Sequence, residues 1–96
     1  MTNEDLSKLK ADYTKRNIEY WVSELIKKQD ALLFYQNRLD VLSKQKKVSE
    51  DEKRVRDTEL PANIQTTTFD IEKAEVHIEG LQKLLVSYEE KSSVKN

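Results

Sequence analysis

Cysteine is absent from the 96-residue chain, so disulfides, thiolate metal sites and cysteine nucleophiles are excluded. Gly80 is the one glycine and Pro61 the one proline. Turn punctuation this scarce argues against a many-stranded fold. Long apolar runs are missing too, and none approaches the roughly 20 residues that span a bilayer. The opening Met1-Thr2-Asn3-Glu4-Asp5 is acidic and polar, unlike a signal or transit peptide. The expectation is therefore a cytoplasmic protein that does not insert into membranes.

What the chain does contain is charge. Charged residues make up 36% and hydrophobic residues an equal 36%, a balance that suits long helices, whose surface is large for the core they bury. Net charge is only −1, yet it is unevenly spread. Residues 1–48 hold ten Lys/Arg against seven Asp/Glu, and residues 49–96 hold seven against eleven. Two halves of opposite sign favour pairing with each other in an antiparallel hairpin. Salt screening makes this a bias in arrangement and not a large source of stability.

From about Glu4 to Lys47 nothing breaks a helix, and Lys44, Lys46 and Lys47 suit the negative pole of its dipole. Val48-Ser49 interrupts the pattern. Ser49-Glu50-Asp51-Glu52 then reads as a capping box, which starts a second helix near residue 50. Pro61 either kinks that helix or lies in the first turn of a fresh one capped by Asp57 or Thr58. Thr66-Thr67-Thr68 weakens helix propensity and permits another start at Asp70. The expected layout is one helical domain over 1–96. Its parts are a helix over about 4–47, a turn at 48–49, a helix over about 50–59, a kink or break over 60–68, a helix over about 69–91 and a frayed tail at 92–96.

The apolar spacing carries more weight. Ile64, Ile71, Ile78 and Leu85 recur every seven residues, and Thr67, Ala74, Leu81 and Tyr88 follow each by three. That is an a/d seam held over four heptads. The first half shows Ala11, Ile18, Leu25, Leu32 and Leu39 at a, with Thr14, Trp21, Lys28, Tyr35 and Leu42 at d. Thr14 and Lys28 are its weak points. An antiparallel pair turning near Ser49 requires facing residue numbers to sum to about 99. The layers are then Leu39/Leu60, Tyr35/Ile64, Leu32/Thr67, Leu25/Ala74, Trp21/Ile78, Ile18/Leu81 and Ala11/Tyr88, with Lys28 laying its methylene stem along Ile71. The turn read from the capping box and the register read from the apolar pattern agree.

A two-helix hairpin needs one apolar seam, and this chain has more. Leu6, Tyr13, Tyr20, Phe34 and Val41 recur at heptad position c, with Ile26 and Leu33 beside them. Val55, Ala62, Phe69 and Val76 recur at position f of the second helix. A helix apolar on two faces expects two neighbours. Either a partner covers the second face, with Tyr13, Tyr20, Phe34, Val41, Phe69 and Val76 as its contacts, or the segment before Phe69 folds back as a third helix and covers it within the chain.

Candidates for chemistry are few. His77 is the sole histidine, and its helical neighbours Lys73, Ala74, Gly80 and Leu81 supply no metal ligand, so a place beside the seam or on the surface explains it. Glu50, Asp51 and Glu52 open a helix and Glu89 and Glu90 lie in a helical tail, where solvated ends account for them better than acid–base catalysis. Lys44-Gln45-Lys46-Lys47 could contact phosphate or an acidic partner, but a cationic helix end explains it better, and the acids that follow weigh against nucleic acid. Trp21 with Tyr20 could form an aromatic site or simply pack. Gly80 in mid-helix either marks the close approach of another backbone or is tolerated there. No phosphate-binding Gly-rich loop, Ser/His/Asp set or HExxH motif occurs. No enzyme activity, metal, cofactor or small-molecule substrate is expected.

Length and helical layout resemble tubulin-binding cofactor A and, more distantly, the prefoldin subunits. No diagnostic motif aligns beyond Leu60-Pro61, and the turn has neither a strand-forming run nor a Trp-x-Gly, so no family is assigned. The reading is an all-α protein: a long antiparallel, coiled-coil-like hairpin with the second helix kinked or broken near Pro61, or else a three-helix bundle. It is expected to act through a protein partner or as a homo-oligomer. It would serve as a structural or assembly protein, or alternatively as a small helical chaperone, cofactor or inhibitor of one partner.

Overall fold

The computed structural model describes the backbone of residues 1–93 and the side chains through residue 91. Helix α1 runs from Asn3 to Lys44, α2 from Glu50 to Arg54, and α3 from Leu60 to Ser93, with a π-helical turn over Val55–Glu59 joining α2 to α3. The chain is all-α, and α1 packs against α3 as a helical hairpin. Residues 50–93 form one continuous helical run, so among the described residues no segment folds back as a third helix. The short tail expected over 92–96 is helical at Ser92 and Ser93, and the rest of it lies outside the described residues.

Both helical runs begin with reciprocal caps. Thr2 Oγ1 accepts from the Asp5 amide at 3.1 Å, while the Thr2 amide donates to Asp5 Oδ2 at 3.3 Å. At the second start the Glu52 amide donates to Ser49 Oγ at 3.2 Å, and the Ser49 amide donates to Glu52 Oε1 at 3.0 Å. Each box satisfies amides that the first helical turn leaves without partners. The Ser49 amide, followed by the Gln45 side chain, holds the Glu52 carboxyl below its ordinary value of 4.5. Because that value is depressed in the folded state, the contribution is present above the unfolded value and is lost as pH falls through the folded one.

Three boundaries differ from the sequence reading. Helix α1 stops at Lys44 and not near residue 47, because the Gln45 side-chain Nε2 donates forward to the Lys47 carbonyl at 2.7 Å and to Glu52 Oε2 at 3.1 Å. Those bonds hold the chain in a turn over 45–49 where a further helical turn was expected. The irregularity expected over 60–68 falls earlier, at Val55–Glu59. Pro61 would drive its ring into the carbonyl four residues back, and the wider π turn accommodates this, with the Leu60 amide reaching the Val55 carbonyl. Thr66, Thr67 and Thr68 remain helical, since burial of Thr67 in the seam outweighs local propensity.

Close contacts divide the chain into two compact units. In the unit of Met1–Glu24 with Ala74–Asn96, the buried side chains are Ala11, Thr14, Ala74 and Ile78. Thr14 Oγ1 donates to the Lys10 carbonyl at 2.7 Å, so the hydroxyl is satisfied inside its own helix. Lys15 pairs with Glu89 at 3.6 Å. In the unit of Leu25–Lys73, Leu42, Leu60, Thr67 and Ile71 are buried, and Lys28 reaches Asp70 at 3.5 Å. Every a and d position from Ala11 to Leu42 and from Leu60 to Tyr88 is buried or half-buried. The buried sites are shared equally between small residues (Ala11, Thr14, Thr67, Ala74) and larger ones (Leu42, Leu60, Ile71, Ile78), and no large side chain is fully enclosed. One seam between two helices cannot surround a bulky residue on all sides.

The register predicts its own cross-link. Cysteines replacing Leu32 and Thr67, both in the Leu25–Lys73 unit, should form a disulfide rapidly within one chain. Cross-links found only between chains, read on a non-reducing gel, would mean that the intrachain seam is wrong.

Candidate functional site: an apolar surface outside the seam

The six residues singled out as partner contacts all face solvent. Tyr13 is 63% exposed, Tyr20 58%, Phe34 63%, Val41 62%, Phe69 59% and Val76 70%. Leu6, Ile26 and Leu33 are exposed with them, whereas Val55 is half-buried beside the π turn. Total accessible surface is 7403 Å², against the roughly 5,700 Å² that a compact monomer of 11.3 kDa presents. The excess is consistent with a core limited to one seam.

In the unit of Met1–Glu24 with Ala74–Asn96, Tyr13 borders a cleft of about 310 Å³ between α1 and α3. Leu9 and Tyr13 line it from α1, and Leu81, Leu84 and Tyr88 from α3. Lys10 is the single charged residue in its wall, with its ammonium 5.8 Å from the centre of the Tyr88 ring. Tyr20 does not line this cleft; its ring meets Trp21 edge-on at 5.5 Å. Trp21 in turn lies 4.4 Å from the His77 ring, which places His77 beside the seam. Val76 stands apart from the cleft. Leu9 and Leu84 were missed in the sequence because they fall just outside the recurring c and f stripes. Their i, i+4 spacing to Tyr13 and Tyr88 was the available signal.

A second recess in this unit is polar, lined by Glu4, Asp5, Asp12 and Glu89 with Lys8 and Lys15. Its residues fall at positions a, b and e, and those of the apolar cleft at c, d, f and g. The two sides of the seam therefore differ in chemistry, one mixed and mainly acidic, the other apolar with a lysine.

In the unit of Leu25–Lys73, Phe34 and Val41 share a shallow recess of about 230 Å³ with Asn37 and Arg38, as residues one and two turns apart on one helix must. The Phe34 ring stands edge-on to Tyr35 at 5.9 Å. Phe69 is not part of that recess and instead lies under the Lys73 ammonium at 5.3 Å. Phe34 and Val41 are thus brought together, while Phe69 is held separately.

The basic cluster at the turn is only partly available: Lys44 pairs with Asp40 at 3.1 Å, and Gln45 is committed to the turn. Among the described residues no group of His, Asp and Glu could hold a metal ion, and no helix is long and apolar enough to cross a membrane. Compared with family models, with curated proteins and with solved structures, the chain matches none.

Gly80 has nothing within 4 Å of where a Cβ would stand, so no close approach inside the chain requires a glycine there. Gly80→Ala should therefore raise stability by about 1 kcal/mol, the difference in helix propensity. Chemical denaturation measures this, and a destabilised variant would mean that the position is crowded in the folded protein.

Proposed function

We propose that the chain is a non-enzymatic structural or assembly protein that acts through helix–helix association. A second copy or another helical protein docks on the apolar residues outside the seam, with Tyr13, Tyr20, Phe34, Val41, Phe69 and Val76 as contacts. The observation that carries this reading is a contrast along the same two helices. The a and d positions between Ala11 and Leu42 and between Leu60 and Tyr88 are all at least half-buried, while six large apolar residues outside them are more than half exposed.

Magnitudes support it. Tyr13 and Tyr20 alone leave roughly 250 Å² accessible. Leu9 and Leu84, exposed by 51% and 41%, add to the apolar surface that unit leaves accessible. Exposed aromatic side chains are common anchors of protein interfaces, where a few residues carry most of the binding energy.

The second reading is a small chaperone, cofactor or inhibitor that binds one unrelated protein. One observation favours it: the apolar cleft carries a lysine and no acid. Two copies of that cleft facing each other would offer like charge to like. Solution mass separates the readings, since a stable homo-oligomer supports self-assembly and a monomer supports a heterologous partner.

The double variant Tyr20→Glu with Phe34→Glu tests the shared claim that the face is an interface. In an oligomer or complex it should give a folded, still helical, smaller species that no longer associates, as read by circular dichroism and sedimentation. Loss of helicity together with cooperative melting would show these residues to be core, and the reading would be abandoned.

A further inference from the structure

Resting on the helix–helix reading above, we propose that the cleft lined by Leu9, Tyr13, Leu84 and Tyr88 receives an amphipathic helix of another protein whose apolar stripe is flanked by acidic residues.

The shape of the cleft argues for a helix. Two antiparallel helices present Leu9 and Tyr13 on one wall and Leu84 and Tyr88 on the other, each pair four residues apart. Side chains at that spacing form ridges that accept the i, i+3, i+4 and i+7 anchors of a third helix. An extended strand would find no open sheet edge here, because its backbone groups need partners that two helices have already used internally.

Charge argues for an acidic flank. Lys10 holds its ammonium over the Tyr88 ring, and no carboxylate pairs with it among the described residues. Arg16, three residues after Tyr13 and four before Tyr20 but not in the wall of the cleft, has no carboxylate partner among the described residues. Lys15, on the other side of the seam, does pair, with Glu89 at 3.6 Å. In this unit Lys15 pairs with Glu89 and Lys83 with Glu79, while Lys10, in the wall of the apolar cleft, has no carboxylate partner among the described residues. A carboxylate at the rim of a docked helix would meet Lys10 beside the Tyr88 ring, and the burial that docking brings strengthens such a pair. Opposite charge at a rim acts mainly on encounter and partner choice, so its clearest signature is selectivity between partners.

The test uses the full-length protein and two fluorescent three-heptad peptides with leucine at a and d, one carrying glutamate at e and g and the other lysine. The glutamate peptide should bind and the lysine peptide should bind at least about tenfold more weakly, with the difference shrinking as salt is raised. Lys10→Glu, a surface change whose folding is checked by circular dichroism, should reverse the preference. Tyr13→Glu should abolish binding of the glutamate peptide. Equal binding of both peptides, or binding of neither, overturns the proposal. So does binding to vesicles of phosphatidylglycerol without binding to either peptide. Association that depends on Tyr20 and Phe34 but ignores the glutamate peptide would defeat this inference and leave the helix–helix reading intact.

Discussion

A helix in a two-membered hairpin has one neighbour, and that limit governs most of what this protein shows. Each helical run can bury one stripe, so the a and d residues are covered and everything apolar elsewhere remains outside. The same limit explains why no large side chain is fully enclosed. Leu42, Leu60, Ile71 and Ile78 are buried along with the small residues, whereas Leu32, Tyr35 and Trp21 stay half-exposed. Stability therefore rests on a long seam of partly buried residues and not on a closed core.

The polar residues in the seam are accommodated without orphaned groups. Thr14 returns its hydroxyl to its own helix, and Lys28 carries its ammonium out to Asp70. Among the described residues no buried side-chain polar atom lacks a partner. The unmet demand lies in apolar surface alone. Covering roughly 400 Å² of it gains on the order of 10 kcal/mol before the losses of association, which are of similar size. In the proposed docking the apolar residues supply the burial, and the charge of Lys10 at the cleft selects the partner.

Much of the fold was legible in the sequence because a heptad repeat is a long, redundant signal. Trp21 beside His77 and Lys28 paired with Asp70 both give numbers summing to 98, within one of the register drawn from the pattern. Ser49 and Glu52 were readable because the capping box is a local chemical motif. What escaped depended on single side chains. Gln45 ends α1 through two bonds that no periodicity announces, and Pro61 displaces its disturbance into the preceding turn because the clash is with a carbonyl behind it. The candidate contacts were found as stripes, yet the cleft draws Leu9 and Leu84 from just outside them. Stripes follow from angle around one helix, and a cleft follows from the meeting of two.

The central claim is that the second apolar face lies outside the fold and not within it, and the four tyrosines report on this directly. Tyr13 and Tyr20 belong to the exposed face, whereas Tyr35 and Tyr88 are half-buried in the seam. Nitration with tetranitromethane, mapped by mass spectrometry on chain diluted until sedimentation shows a monomer, should modify Tyr13 and Tyr20 first and leave Tyr35 and Tyr88 slow until the protein unfolds. Protection of Tyr13 and Tyr20 equal to that of Tyr35 and Tyr88 in the monomer would mean that the chain covers this face itself.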